Sequence, residues 1–275
     1  MAGDKVIAVD LGGTNLRVGL VENNRILKYR KEDTPKTQKA LVSLMFRLIE
    51  ETIEKGVKGI GVSSAGPLKD GIIKNPPNLP LRNFNLKKAL KKRFKTRVEV
   101  ENDANCVALA ELKLGAGRGK KNFIVLTLGT GIGGGIVIDG KLYTGEGYGG
   151  ELGHIILDNG IDFENLAAWK SLKKVTKKEF GREIRTKELM AMNNSKSRKV
   201  LKNVIVYLGQ GIGSLINIFD PEVVVLAGGI RECSDKLLRM IRQEVEKYSV
   251  LPKDTPIIWS RLTHPGTLGA SLLVN

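Results

Sequence analysis

The stretch KVIAVDLGGTNLRVGLVE, residues 5–22, decides the architecture. Lys5–Asp10 is a short apolar run ending in a carboxylate, Gly12 and Gly13 follow, and Leu16–Val21 is apolar again. A strand, a glycine turn and a returning strand account for this order. Asn23-Asn24 comes next, before RILKYRKE (25–32). Two asparagines supply the positive φ of a two-residue turn, which predicts a third antiparallel strand. The turn Asp10-Leu11-Gly12-Gly13-Thr14-Asn15 matches neither common phosphate motif, because no Gly-Lys-Ser/Thr follows and the next element is a strand. Its glycines let N–H groups face a phosphate without a Cβ in the way, and Thr14 and Asn15 add side-chain donors. Asp10 can hold Mg²⁺ directly or through water. A plain hairpin turn whose aspartate bonds the local backbone fits the same residues.

The pattern returns in the second half. NFIVLTLGTG (122–131) is a strand running into glycines, and Asp139-Gly140 closes a hairpin as a type I′ turn. The second turn is Leu128-Gly129-Thr130-Gly131-Ile132-Gly133-Gly134-Gly135. Two such turns at matching places in two similar halves predict a phosphate clamp across a cleft, and the pair is far more specific than either member. Between them, Leu41, Leu44, Met45, Leu48, Ile49 and Ile53 mark a helix over 36–55 with Gly56 as its cap. Further expectations are a strand at 59–64, a loop at 70–81, a helix from the cap Asn85 to Phe94, a strand at 97–103 and a helix at 104–114. After the second turn come helical patterns at 162–192 and 201–219, a strand at 222–229 and a helix at 234–248. A meander followed by strand–helix alternation implies mixed sheets covered by helices, an α/β fold. The glycine-rich GAGRGKK (115–121) marks the main boundary, giving lobes 1–114 and 115–264, the first completed by a helix at 265–275.

The chain has 275 residues and a formal net charge of +16, from 45 Lys+Arg against 29 Asp+Glu. Such a surplus draws anions, including nucleotides, phosphorylated metabolites, polyphosphate and nucleic acid. The basic clusters at 87–97 and 170–187 contain few aromatic residues for base stacking, so they read as solvated helix faces and no nucleic-acid partner is expected. The two cysteines, Cys106 and Cys233, form no CxxC pair, which excludes a zinc knuckle or redox motif and leaves two buried free thiols. No apolar run approaches the ~20 residues of a membrane span, and no secretion signal precedes the first strand, so a cytoplasmic location is expected.

Three further segments carry candidate chemistry. Glu101-Asn102-Asp103 ends a strand just before a helix. A carboxylate there can accept a substrate hydroxyl proton, although a simple helix cap suits the same residues. Glu151 and His154, with Glu164 further on, can bond neighbouring hydroxyls, or His154 can be structural. Ala227-Gly228-Gly229 after an apolar strand is either a nucleotide-contacting turn or an ordinary strand-to-helix turn.

Taken together, DLGGTN, SSAGP, NPPNLP, ENDANC, LGTGIGGG, GELGH and LAGG resemble the ROK family of sugar kinases and sugar-responsive repressors, from Asp10 to Gly269. The resemblance implies a two-lobed actin-like, ribonuclease H-like ATPase fold with a cleft between the lobes. It implies that Asp10, Gly12, Gly13, Thr14 and Asn15 form the first phosphate loop, Thr130, Gly131 and Gly133 the second, and Gly228 and Gly229 the adenosine loop. Asp103 would be the catalytic base. Asn102, Glu151, His154 and Glu164 would bind sugar hydroxyls, with Gly66 and Asn78 as further sugar-site residues. The cofactors implied are ATP and Mg²⁺, the substrate is a hexose, glucose at its 6-hydroxyl first, and the assembly is a homodimer. Polyphosphate in place of ATP, and N-acetylhexosamines in place of glucose, are the alternatives. Many members bind zinc through three cysteines after the histidine of this motif. The corresponding IILDNGIDFEN (155–165) has none, so no zinc is expected and another group must fix the tautomer of His154. About five residues precede the first strand, too few for the helix-turn-helix of the repressor branch.

Overall fold

The computed structural model describes residues 4–232 and 235–274. It divides into two compact units, Met1–Leu114 with Thr144–Gly149 and Leu262–Asn275, and Gly115–Tyr143 with Gly150–Arg261.

The first unit opens with β1 (Lys5–Leu11), β2 (Asn15–Glu22) and β3 (Arg25–Asp33), then α1 (Gln38–Thr52) and β4 (Val57–Ser64). A small antiparallel sheet follows, β5 (Leu68–Lys69), β6 (Ile72–Ile73) and β7 (Phe84–Asn85), and then α2 (Leu86–Phe94), β8 (Arg97–Asn102) and α3 (Asp103–Leu114). The main sheet runs β3-β2-β1-β4-β8, antiparallel among the first three and parallel from β1 to β8. Asn23 and Asn24 turn the meander with φ of 49° and 61°. Ile7, Val9, Leu16, Val18, Met45 and Ile60 are among the apolar side chains buried between this sheet and its helices.

The expectations for the main-sheet strands and the helices hold, with shifts that have local causes; the stretch 70–81, expected as a loop, carries the short strand β6. Helix α1 starts where Thr37 accepts the Ala40 N–H at 3.3 Å, and it ends where Ile53 turns extended. Gly56 is therefore not its cap; with φ of 87° it serves the turn after it. Asn85 caps α2 by accepting the Lys88 N–H at 2.8 Å. Strand β8 stops at Asn102, one residue early, and Asp103 already belongs to α3.

The second unit contains β9 (Phe123–Leu128), β10 (Ile132–Ile138), β11 (Lys141–Tyr143), β12 (Ile156–Asp158) and β13 (Ile161–Asp162). Helices α4 (Phe163–Ala167), α5 (Trp169–Phe180), α6 (Thr186–Met192) and α7 (Ser195–Phe219) come next, then β14 (Val223–Ala227), α8 (Asp235–Val245) and β15 (Ile257–Trp259). Its sheet, β11-β10-β9-β14-β15, repeats the pairing of the first: two antiparallel neighbours and two parallel ones. Asp139 and Gly140 turn the hairpin with φ of 51° and 70°. Helix α7 begins earlier than the apolar pattern suggests, because Asn194 and Ser197 form a reciprocal cap ahead of it.

The last helix, α9 (Pro265–Leu272), belongs to the first unit and packs on α3, β1 and β4. Its backbone comes so close that any Cβ at Gly61 would strike the Ala270 carbonyl, and any at Gly269 the Cys106 carbonyl. Cys106 is a buried free thiol; Cys233 lies outside the described residues. Among the described residues no helix is long and apolar enough to cross a membrane.

Candidate active site

In each unit the parallel strands end on one edge, where ligands of α/β sheets bind. Register in the first unit sets Asp10 beside Ser63, Ser63 beside Glu101 and Ser64 beside Asn102. The glycine turn follows at once. Its Gly12 N–H donates to Asn15 C=O at 3.0 Å, and Thr34 grips it from β3's end, Oγ1 donating to Gly12 C=O at 2.6 Å and N–H to Thr14 C=O at 2.9 Å. In a trans peptide the C=O and the next N–H point oppositely. With the Gly12 and Thr14 carbonyls drawn toward Thr34, the N–H groups of Gly13 and Asn15 face the other way, as an anion-binding turn requires. Asn78 packs directly against Gly13.

Asp10 is mostly buried, its side chain 18% exposed. Oδ2 accepts from Arg17 Nη1 at 3.0 Å and Oδ1 from Ser63 Oγ at 3.4 Å. Burial pushes its carboxyl above the ordinary value, against the opposing pull of Arg17 and Ser63. Oδ1 also lies against Gly266 in the first turn of α9. On β3, next in the same meander, Tyr29 Oη meets His264 Nδ1 at 3.2 Å with the rings 4.5 Å apart. Burial and then Arg17 hold His264 below the usual histidine value.

The cap of α3 comes from Asn102, whose Oδ1 accepts from Ala104 N–H at 2.8 Å and Asn105 N–H at 3.2 Å. Its Nδ2 reaches the Gly66 carbonyl at 3.5 Å. Asp103 stands in the first turn, with Oδ1 2.9 Å from the Ala104 N–H. Glu101 is committed to the Asn102 N–H and Asn105 Nδ2. The first unit thus gathers Asp10, Gly12, Gly13, Thr14, Asn15, Gly66, Asn78, Asn102 and Asp103.

In the second unit Gly129 N–H closes the turn onto Gly131 C=O at 3.0 Å. The start of α5 takes two carbonyls, Trp169 N–H donating to Gly129 and Lys170 N–H to Thr130, both at 3.1 Å. By the same peptide geometry the N–H groups of Thr130 and Gly131 face away from α5. Glu164 of α4 occupies the space a Cβ of Gly131 would need, and its Oε2 accepts the Ile132 N–H at 2.7 Å. Its Oε1 pairs with Lys170 Nζ. Gly133 lies within β10, opposite Thr127. Gly228, with φ of 98°, sits on the Leu128 carbonyl, so it adjoins the second turn. Gly229 follows, with open space around it.

His154 ends a short turn, Leu152–His154, that starts from Glu151. Its Nδ1 lies 3.1 Å from Asp162 Oδ2, and its Nε2 lies 3.9 Å from Glu151. Asp162 also caps α4 through the Asn165 N–H at 2.7 Å. Burial alone would raise the Asp162 carboxyl, but the Asn165 N–H and His154 bring it below its ordinary value. An anionic acceptor at Nδ1 places the proton there and leaves Nε2 as the ring's second face for a ligand.

Four of these residues escape sequence reasoning: Arg17, Thr34, Asp162 and Lys170. Thr34, Asp162 and Lys170 act through tertiary contacts and Arg17 through its cross-strand pairing with Asp10, and only Lys170 carried a signal, as the start of the basic run at 170.

Two units of identical strand order, each with a glycine turn at its parallel edge, define the α/β class of actin-like ATPase folds. Within that class the chain belongs to the ROK family, whose model matches residues 6–275. It is similar to a glucokinase of Thermotoga maritima, at 32% identity over 98% of this chain and 97% of that protein. It resembles the crystal structure of a ROK hexokinase from Thermus thermophilus with a TM-score of 0.84, at 33% identity over 98% and 97% of the two chains. A ROK family glucokinase from Streptomyces griseus, solved with glucose and AMPPNP, gives a TM-score of 0.87 at 27% identity, with 98% of each chain covered. Repressors are relatives too: the xylose repressor of Bacillus subtilis is 30% identical over 86% of this chain and 67% of that protein.

Proposed function

We propose that this protein transfers a phosphoryl group from ATP to a hexose, glucose at the 6-hydroxyl first, with Asp103 as general base. The observation that carries the reading is the repeated turn: in both units two turn carbonyls are bonded to the surrounding fold, which directs the N–H groups of Gly13 and Asn15, and of Thr130 and Gly131, the opposite way. Phosphoryl transfer needs mostly positioning and charge neutralisation, which such turns supply. Asp103 accepts the proton of the attacking hydroxyl in this reading; Asn102 holds the Asn105 N–H and shares the Ala104 N–H with Asp103, so the cap of α3 does not depend on Asp103 alone. Asn102, with Gly66 and Asn78, is proposed to bind sugar from the first unit, and Glu151 and His154 are proposed hydroxyl ligands from the second. For Glu164 to join them, its carboxylate must exchange one of its present partners, Ile132 N–H or Lys170.

One buried carboxylate with a hydroxyl, Asp10 and Ser63, suits Mg²⁺ held chiefly by nucleotide oxygens and water. When bound it neutralises charge on the transferring group. Among the described residues no cluster of three or more His, Cys, Asp or Glu forms an all-protein metal site. We place the enzyme in the cytoplasm as a homodimer, which light scattering tests.

A coupled assay across a hexose panel with ATP and Mg²⁺ is the direct experiment, with glucose turned over fastest. Asp103→Asn should keep sugar binding and lose at least ~10²-fold in rate. Near-normal turnover would remove Asp103 from the role.

A second donor has its own observation. Helix α5 starts at the second turn, and its exposed Lys174, Lys177 and Lys178 show no acidic partner among the described residues. Inorganic polyphosphate could use that face, and turnover with polyphosphate exceeding that with ATP would favour it. The kinship to repressors gives a third reading, a sugar sensor, which saturable sugar binding without turnover would favour.

A further inference from the structure

Lys170 stands at the second turn without belonging to any glycine motif. Its backbone N–H holds the Thr130 carbonyl at 3.1 Å, and its Nζ pairs with Glu164, whose other oxygen holds the Ile132 N–H at 2.7 Å. The ammonium is thereby kept at the flank of the turn, where Gly131 has no side chain.

The two partners differ in burial. The Glu164 side chain is 16% exposed and the Lys170 side chain 37%. The carboxylate is fixed in place and the lysine, on a flexible four-carbon stem, is the partner able to move. A carboxylate touching a phosphate turn repels an incoming polyanion unless a cation accompanies it. The next lysine along, Lys173, is engaged by Glu183 at 2.8 Å. Arg185 lies 5.4 Å over the ring of Trp169, which packs at the start of α5 and so steadies the backbone that carries Lys170.

We propose that Lys170 is a ligand of the donor's phosphates: Glu164 holds its ammonium beside Gly131, and the lysine passes to phosphate oxygens when the donor binds. This rests on the reading of Leu128–Gly135 as a phosphate turn. Glu164 is then a positioning residue for both the turn and the lysine.

The test is calorimetric titration with AMPPNP and Mg²⁺, without sugar, on the full chain. Lys170→Met should weaken binding about tenfold or more, because a charge-assisted contact to phosphate is lost, and Lys170→Arg should recover most of it. The double variant Lys170→Met/Glu164→Gln should remain weak, since the phosphate ligand is still missing. Thermal melting of each variant establishes that it is folded. Wild-type binding with an unchanged Lys170→Met overturns the inference alone. So does a double variant restored to wild-type affinity, which would make Lys170 only the counter-charge of Glu164. A folded wild-type protein that binds no AMPPNP overturns the phosphate-turn reading and this inference together.

Discussion

The two glycine turns follow one backbone plan with different materials. Between the paired Leu11 and Leu16 lie Gly12–Asn15; between Leu128 and Ile132 lie only Gly129–Gly131. The longer turn is tied by Thr34 from the next strand, and its carboxylate, Asp10, sits in its own strand against Arg17 across the hairpin. The shorter turn is tied by the first N–H groups of α5, and its carboxylate, Glu164, arrives from α4 with Lys170. Each turn therefore has a carboxylate–cation pair beside it. In the first the pair lies inside one hairpin; in the second it is assembled from helices far along the chain. The repeated element is the backbone, and its support has been built twice.

That contrast can be broken or sharpened by mutation. The largest effect is expected at Asp10, whose carboxylate stands in the strand that leads into the first turn. Asp10→Asn should lower kcat by about 10²-fold or more, as loss of a metal-directed carboxylate does. Its stability should move the other way. A carboxyl held above its ordinary value binds its proton more tightly folded than unfolded, so stability is lost as pH rises through the folded value. The melting temperature of Asp10→Asn at neutral pH should equal or exceed wild type, with the difference shrinking as pH falls into the carboxylate range. A large drop in melting temperature would show that Arg17 depends on that charge for the fold.

Next comes the backbone of the second turn. Gly228→Ala combines a positive φ with overlap on the Leu128 carbonyl and should cost about 2–3 kcal/mol in denaturant unfolding. Gly129→Ala, with nothing within 4 Å of its added methyl, should change stability by ~0.5 kcal/mol or less. Equal losses would mean the close approach of Gly228 to the turn carries no weight.

A smaller effect is expected at Asp162. Asp162→Asn should raise the sugar KM about tenfold, a cost typical of mis-set histidine orientation, and leave AMPPNP affinity alone. Equal shifts for both ligands would reduce Asp162 to a helix cap. The smallest is Thr34→Val, which deletes one bond to Gly12 and should cost about 1 kcal/mol of stability. It should weaken AMPPNP without touching sugar affinity.

Much of the fold was readable because its signals are local. Asn23-Asn24 and Asp139-Gly140 specify their turns, Asn85 specifies its helix start, and each apolar run before a glycine pair became a strand. Where local signals competed, boundaries moved. Asn102 took the cap of α3 from its neighbour, and Asn194 with Ser197 started α7 ahead of its apolar stripe. The support of the site was hidden because Thr34, Asp162 and Lys170 are ordinary letters until tertiary contacts bring them to the turns. The return of Thr144–Gly149 to the first unit was hidden likewise; there Lys69 stands 5.9 Å from the ring centre of Tyr148.

Helix α9 carries a consequence for biogenesis. Its packing against β4 and α3 leaves no room for even a methyl group, yet it is made after the whole second unit. A ribosome releasing this chain in order would finish the second unit's strands and helices while the first still lacked a wall. Ala8, Val21 and Ala110, which meet α9 in the mature structure, would stay open to solvent until then. The half of the protein translated first is thus the half completed last, and its nascent form is the one most in need of shelter from aggregation.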